Sequence, residues 1–325
     1  MIRERPEDFL VDEILPMEPD GSGEHCLLRI EKRGSNTDWV AGVLARHAAV
    51  PRRDVGYAGR KDRHAVTRQW FSVRLAGRPE PDWRALEGEG LRILQLARHG
   101  RKLRTGALRG NRFRLRVTHA VVDRELLQQR LLAIRERGIP NYFGEQRFGR
   151  DGGNLEQARR LFAGELHRPG RNRRGLYLSA ARSLLFNRVL ARRVLSGDWD
   201  RPLAGDWLAL AGSRSGFLAE QVDGTLLRRC REMDLHPTGP LWGRGETMVG
   251  AEARRRESEV LAPCRSWTEG LERAGLTQER RPLRAVVGEL EWALEEQALV
   301  LSFTLPKGSY ATSLLREVID YGVPG

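Results

Sequence analysis

Apolar and polar residues alternate over Phe9–Ile14, with Phe9 and Val11 set against Leu10, Asp12 and Glu13, which loosely predicts a strand. Pro19-Asp20-Gly21-Ser22-Gly23 reads as a turn, and Cys26–Ile30 as a second strand. Asn36 or Thr37 is placed to cap a helix carrying Trp39, Val40, Val43, Leu44 and His47 on one face. A short strand from Val55 then breaks into a charged loop with a glycine at 59. Trp70–Leu75 and Leu91–Leu96 read as strands. Asn111–Val117 alternates clearly, with Phe113, Leu115 and Val117 on one side and arginines on the other. Asp123 is placed to cap a long amphipathic helix that Gly138 and Pro140 end.

From about residue 150 to 285 helical patterns dominate, notably Ser179–Leu195 and Glu246–Leu261, with loops such as Arg168–Gly175 between them. Arg284–Ala293 and Leu299–Leu305 return to strand patterning, and a helix with Leu314, Leu315, Val318 and Ile319 follows Ser309. Strands that flank a helical centre predict an α+β fold in two parts. The expected boundaries are 1–136 plus 285–325 for a discontinuous sheet domain, and 137–284 for a mostly helical α+β insertion.

Composition supports this size of core. The chain has 325 residues, 40% hydrophobic and 30% charged, which fits about two folded domains and not a disordered chain. Its formal net charge is +13, from 56 basic and 43 acidic residues. Of the basic residues 52 are Arg and 4 are Lys, a ratio that codon usage can produce, so the excess over acids is the better clue. It points to a polyanionic partner, most simply nucleic acid. No apolar run approaches the roughly 20 residues of a membrane span, and the start carries no apolar signal core. Cys26, Cys230 and Cys264 lie far apart, which fits neither a disulfide framework nor a Cys-x-x-Cys metal site. A cytoplasmic protein without structural metal is the expectation, and the absence of coiled-coil heptads favours a monomer.

Phosphate-loop, dinucleotide-loop, zinc-hydrolase, zinc-deaminase and nucleophile-elbow motifs are all missing from the sequence. The chemistry is therefore expected to need no nucleotide, metal or organic cofactor. The most suggestive segment is Ala58-Gly59-Arg60-Lys61-Asp62-Arg63-His64-Ala65. It sets one carboxylate among four potentially cationic neighbours, which favour its ionised form and attract phosphate. Glycine at 59 would permit a tight approach. Such a carboxylate can act as a nucleophile; a solvated turn with salt bridges would use the same residues. Asn141–Gly149 is as unusual, with Tyr142, Phe143 and Phe148 beside Arg147. Those rings suit base stacking, and equally a packed domain junction.

The segment Ala58–Gln69 resembles the catalytic motif of the TruD family of tRNA pseudouridine synthases. Further matching segments are Glu7–Glu13, Gly110–Phe113, Pro140–Gly149 and Leu305–Glu317, with shorter agreement in Glu18–His25, Arg98–Gly106 and Leu178–Asn187. The resemblance covers nearly the whole chain. It implies isomerisation of uridine to pseudouridine at position 13 of the tRNA D-arm, on a catalytic domain with a large mixed sheet interrupted by an insertion domain. It implies Asp62 as the nucleophile and Phe9, Asn111 and Tyr310 as substrate-binding residues. Tyr310 stands where relatives carry Phe, which leaves the role of its hydroxyl open. Phe113 stands where other pseudouridine synthase families carry a tyrosine, so a phenol is missing there.

These residue types suit the reaction. The bond from ribose C1′ to uracil N1 is exchanged for one to C5, and nothing is added or removed. Asp62 can attack C1′ or C6, or take a ribose proton in a glycal-type route; the sequence does not choose. Asn111 offers both a donor and an acceptor to the uracil edge. Phe9 and Tyr310 offer stacking worth roughly 1–3 kcal/mol per base. Arg60, Lys61 and Arg63 are candidates for flanking phosphates, with His64, Phe113, Gln146 and Arg147 as further positioning candidates. The basic run Arg168, Arg171, Arg173 and Arg174 is a candidate grip on the tRNA backbone. The partner expected is tRNA, with no membrane and no obligate protein partner. The alternative is a non-catalytic tRNA-binding or tRNA-folding protein on the same scaffold.

Overall fold

A computed structural model describes residues 4–118, 123–167, 169–213, 215–295 and 298–319. The chain runs through β1 (Phe9–Ile14), β2 (His25–Lys32), α1 (Thr37–His47), β3 (Val55–Tyr57), β4 (Val66–Arg74), β5 (Leu91–His99), β6 (Gly110–Thr118) and α2 (Arg124–Arg137). It continues with β7 (Ile139–Pro140), α3 (Gly153–Phe162), α4 (Arg171–Leu195), β8 (Asp206–Leu210), β9 (Gly216–Ala219), α5 (Gly224–Arg231) and β10 (Leu235–Leu241). Then come α6 (Ala251–Leu261), α7 (Arg265–Arg273), β11 (Glu279–Pro282), β12 (Arg284–Ala285), β13 (Gly288–Glu295), β14 (Ala298–Pro306) and α8 (Ala311–Val318). No described helix is long and apolar enough to cross a membrane.

Two compact units result. One comprises Met1–Leu126, Val287–Gly308 and Ile319–Gly325, the other Leu127–Val286 and Ser309–Val318. Relative to the expected boundaries, most of α2 and the segment from Ser309 fall with the second unit.

The first unit is built on a mixed eight-stranded sheet in the order β13-β14-β6-β1-β4-β2-β5, with β3 added to β4. β1 runs parallel to β4 and antiparallel to β6. One face carries a core of Leu28, Ile30, Phe71 and Val73, on which α1 lays Val40, Ala41, Leu44 and Ala45. The buried stripe of α1 thus keeps the expected Val40 and Leu44 but not Trp39. Trp39 is 55% exposed, because the true apolar arc starts at Thr37 and continues through Val40 and Ala41. Asp123 caps α2 as predicted, its Oδ1 accepting from the backbone of Glu125 and Leu126 at 2.9 and 3.2 Å.

The second unit packs α3, α4, α6 and α7 around Leu178, Leu185, Val189, Leu261 and Leu271. It also holds a four-stranded sheet, β11-β10-β8-β9, and the short pair β7–β12. Three expectations need correction. The strand expected over Arg284–Ala293 is two strands in different sheets, because the chain passes from the second unit to the first between Val286 and Val287. Helix α4 starts at Arg171, not near Ser179, since Gly170 ends the loop and takes the N-cap. Helix α6 starts at Ala251, after Gly250, so residues from Glu246 to Gly250 are not helical.

A candidate active site on a buried polar floor

The loop from Ala58 to Ala65 is pinned at both ends, since Ala58 and Ala65 are fully buried. Beneath it lie Glu13 (3% exposed), Lys32 (1%), Thr37 (2%), Thr67 (0%) and Gln69 (0%). Burying that many polar side chains is costly unless they are bonded, and here most of their bonds reach the loop. Lys61 Nζ lies 2.5 Å from Glu13 Oε1, and the other oxygen of Glu13 accepts from the Trp70 amide at 3.1 Å. Thr37 Oγ1 accepts from the Lys61 amide at 3.0 Å and donates to Gln69 Oε1 at 3.0 Å. The Gln69 amide nitrogen donates to the Gly59 carbonyl. Lys32 Nζ donates to the Ser35 carbonyl at 2.7 Å and to the Asp62 carbonyl at 3.3 Å.

Asp62 itself is half-buried and turns back on its own loop, Oδ1 accepting from the His64 amide at 3.0 Å. That bond is an Asx-type turn, which sets the side-chain angle without using up the carboxylate's acceptor capacity. Lys61 does not face solvent as a phosphate ligand would; its side chain is only 7% exposed and answers the buried charge of Glu13. Arg60, Arg63 and His64 are exposed, and Arg60 Nε lies 3.2 Å from Asp38 Oδ2 on α1. Within the protein, glycine at 59 is not required by space, since an added Cβ would meet nothing closer than 3.6 Å.

Asn111 stands on β6 directly across from Glu13 on β1, which brings it to the strand that anchors the loop. Its Oδ1 is buried and has no hydrogen-bond partner among the described residues. An orphaned amide oxygen in a native fold is unusual. Gly110 before it lets β6 approach β14, where a Cβ would meet the Leu305 carbonyl oxygen at 2.3 Å. Phe9 is 4% exposed and meets Phe113 edge-on at 6.2 Å, while Phe113 stacks on Phe303 at 5.3 Å. Phe113 is therefore a core ring.

Tyr310 belongs to the second unit, with Gln146 and Arg147. Its hydroxyl accepts from Arg147 Nε and Nη2 at 3.2 and 2.9 Å, and Arg147 Nη1 donates to Ser179 Oγ at 3.0 Å. The Tyr310 ring meets Phe143 at 6.2 Å. It lies so close to Gly144 that a Cβ there would stand 2.9 Å from its Cδ1. Arg281 covers Phe143 at 4.1 Å, where burial disfavours its charge without removing it. Its Nη2 donates to Asn141 Oδ1 at 2.6 Å. The Asn141–Gly149 stretch is thus a packed cradle for Tyr310, with Gln146 exposed at its edge. Arg171, Arg173 and Arg174 are exposed in the first turn of α4, and Arg168 lies outside the described residues. Among the described residues no cluster of His, Cys, Asp and Glu could hold a metal ion.

Glu13, Lys32, Thr37 and Gln69 were not singled out from the sequence. A lysine in a chain that otherwise uses arginine was the one available signal.

The TruD family profile, described as tRNA pseudouridine synthase D, matches residues 1–158 and 154–318. A tRNA pseudouridine synthase D of Methylococcus capsulatus is 54% identical over 100% of this chain and 92% of its own length. One from Nitrosococcus oceani is 52% identical over 98% of this chain and 90% of its own. A crystal structure from Methanosarcina mazei assigned to TruD superposes with a TM-score of 0.73 at 22% identity, over 98% of this chain and 93% of that one. The shared fold and the family profile define the class, a pseudouridine synthase, an isomerase of RNA. Within that class the chain belongs to the TruD family, tRNA pseudouridine synthase D.

Proposed function

We propose that this chain isomerises uridine to pseudouridine at position 13 in the D-arm of tRNA, with Asp62 as nucleophile and no cofactor. The observation that carries the reading is the Asp62 loop fastened to a buried polar floor. A solvated turn has no need of five polar side chains each under 4% exposed. A carboxylate that must meet one reacting atom in one orientation does, because small misplacements cost large factors in rate. All three chemical routes, through C1′, C6 or a glycal, need that same placed carboxylate.

Phe9, Asn111 and Tyr310 are the proposed substrate-binding residues. The orphaned Asn111 Oδ1 supports this, because a uracil N3–H can satisfy it. The net charge of +13 supports a polyanionic substrate. So do three exposed arginines in the first turn of α4, which sit against the positive end of the helix dipole. Phosphate contacts offset the few kcal/mol, at most about 5, of unstacking a uridine. The chain acts as a monomer in the cytoplasm in this reading.

The test is incubation with an unmodified tRNA transcript, followed by carbodiimide probing for pseudouridine. The expected result is one signal at position 13, absent from a transcript with cytidine there. Signal at other uridines only would refute the position. Tight binding without any signal would leave a tRNA-binding protein.

A further inference from the structure

The buried lysine of the floor is used by neither the loop's ion pair nor the proposed chemistry. Lys32 ends β2 and is 1% exposed. Across the sheet its neighbours are Thr67 on β4 and Leu91 on β5, both uncharged. The charged groups that face it come from the catalytic loop: Asp62 favours its cation and Lys61 opposes it. Two carbonyls hold its nitrogen, those of Ser35 and Asp62. Thr67 is fully buried and its Oγ1 has no partner among the described residues, so the floor around Lys32 holds spare acceptor capacity.

The residue type is itself informative. Only four of 56 basic residues are lysine, and two of them, Lys32 and Lys61, serve this loop. At Lys32 and Lys61 a compact point charge fits, whereas a guanidinium is larger, planar and cannot shed its proton.

We propose that Lys32 is a positioning residue of the isomerase: its ammonium clamps the Asp62 main chain and sets a positive charge behind the Asp62 carboxylate. This rests on Asp62 as nucleophile. The charge acts on the reacting carboxylate and not on tRNA, so it governs kcat and leaves KM nearly alone. It is also conditional on pH. Burial pushes the Lys32 ammonium from its ordinary 10.5 down to about 8. Above that value it loses its proton and its charge, and its hold on the two carbonyls weakens.

Three enzymes are compared for kcat and KM over pH 6 to pH 10, roughly two units either side of that value: wild type, Lys32→Met and Lys32→Arg, with Asp62→Asn run beside them. Wild-type kcat is expected to fall above about pH 8 while KM stays flat. Lys32→Met is expected to lose about 100-fold in kcat at pH 7, with KM within about threefold and cooperative unfolding retained. Lys32→Arg, which cannot deprotonate, is expected to have a lower plateau and no alkaline limb. A wild-type kcat that stays level up to pH 10, or an alkaline limb that survives in Lys32→Arg, overturns the inference even if Lys32→Met fails to fold. A loss in Lys32→Met that appears only in KM overturns it as well. Normal turnover by Asp62→Asn would instead remove the nucleophile reading itself, so the two failures are told apart.

Discussion

The Lys61 ammonium and the Glu13 carboxylate stand 2.5 Å apart with side chains 7% and 0% exposed, one residue from Asp62. A buried pair of this kind is expensive to break from one side. Glu13→Gln leaves the Lys61 cation without a counter-charge and is expected to cost about 3–5 kcal/mol in urea unfolding. Turnover is expected to fall further than stability explains, because the loop loses its anchor. A stability loss below about 1 kcal/mol would mean that the pair is solvated in solution.

Tyr310→Phe keeps the ring and removes the acceptor for two Arg147 donors. A hydrogen bond to a charged group contributes about 1.5–3 kcal/mol, so a loss in that range is expected. Activity is expected to stay within about tenfold, whereas Tyr310→Ala also loses a base stack of roughly 1–3 kcal/mol. Equal kcat/KM for the two variants would exclude the ring from the substrate site. The Tyr310 hydroxyl holds Arg147, which in turn donates to Ser179.

His236 makes the second unit sensitive to acid. Burial, then the Arg284 charge, push its imidazole down to about 4 from 6.5, and its Nδ1 accepts from Arg284 Nε at 3.1 Å. As pH falls the unfolded chain takes this proton first. Stability from the neutral ring is present above about pH 6.5 and is lost progressively toward about pH 4, by roughly 3 kcal/mol in all. Unfolding free energies at pH 7 and pH 4.5 are expected to differ less in His236→Gln than in the wild type. An unchanged difference would mean the ring is not held neutral.

Binding of tRNA is expected to weaken steeply with salt, by about 10³-fold or more between roughly 50 and 200 mM, since several phosphates are contacted. An affinity that hardly moves over that range would remove the electrostatic part of the account. Arg173→Ala is expected to reduce the salt slope by about one contact without changing which uridine reacts.

The strands of the first unit were legible because alternation survives wherever one face is buried, as in Phe113, Leu115 and Val117. The Trp39 face was misread because Trp, Val and Leu look alike to a periodicity argument, while α1 buries small Ala41 and Ala45 and leaves the ring outside. Within the loop, the sequence marks Asp62 and its charged neighbours. It cannot say that Lys61 turns inward, since its partner Glu13 is 48 residues away and meets it only once β1 is in the sheet. Lys32 and Thr37, at the ends of β2 and α1, and Gln69, inside β4, were hidden for the same reason: polar residues in ordinary elements look exposed until a loop folds over them. The cradle around Tyr310 was visible as an odd composition in Asn141–Gly149, but its use was not, because Tyr310 lies more than 160 residues on.

The central claim is that the Asp62 carboxylate does the chemistry and that its surroundings place it and tune its charge. Single-turnover conversion by Asp62→Asn, measured beside its affinity for the same tRNA, tests this directly. Conversion is expected to drop below detection, at least about 10⁴-fold, while Kd rises by no more than a few-fold. Conversion at a rate near that of the wild type would contradict the account.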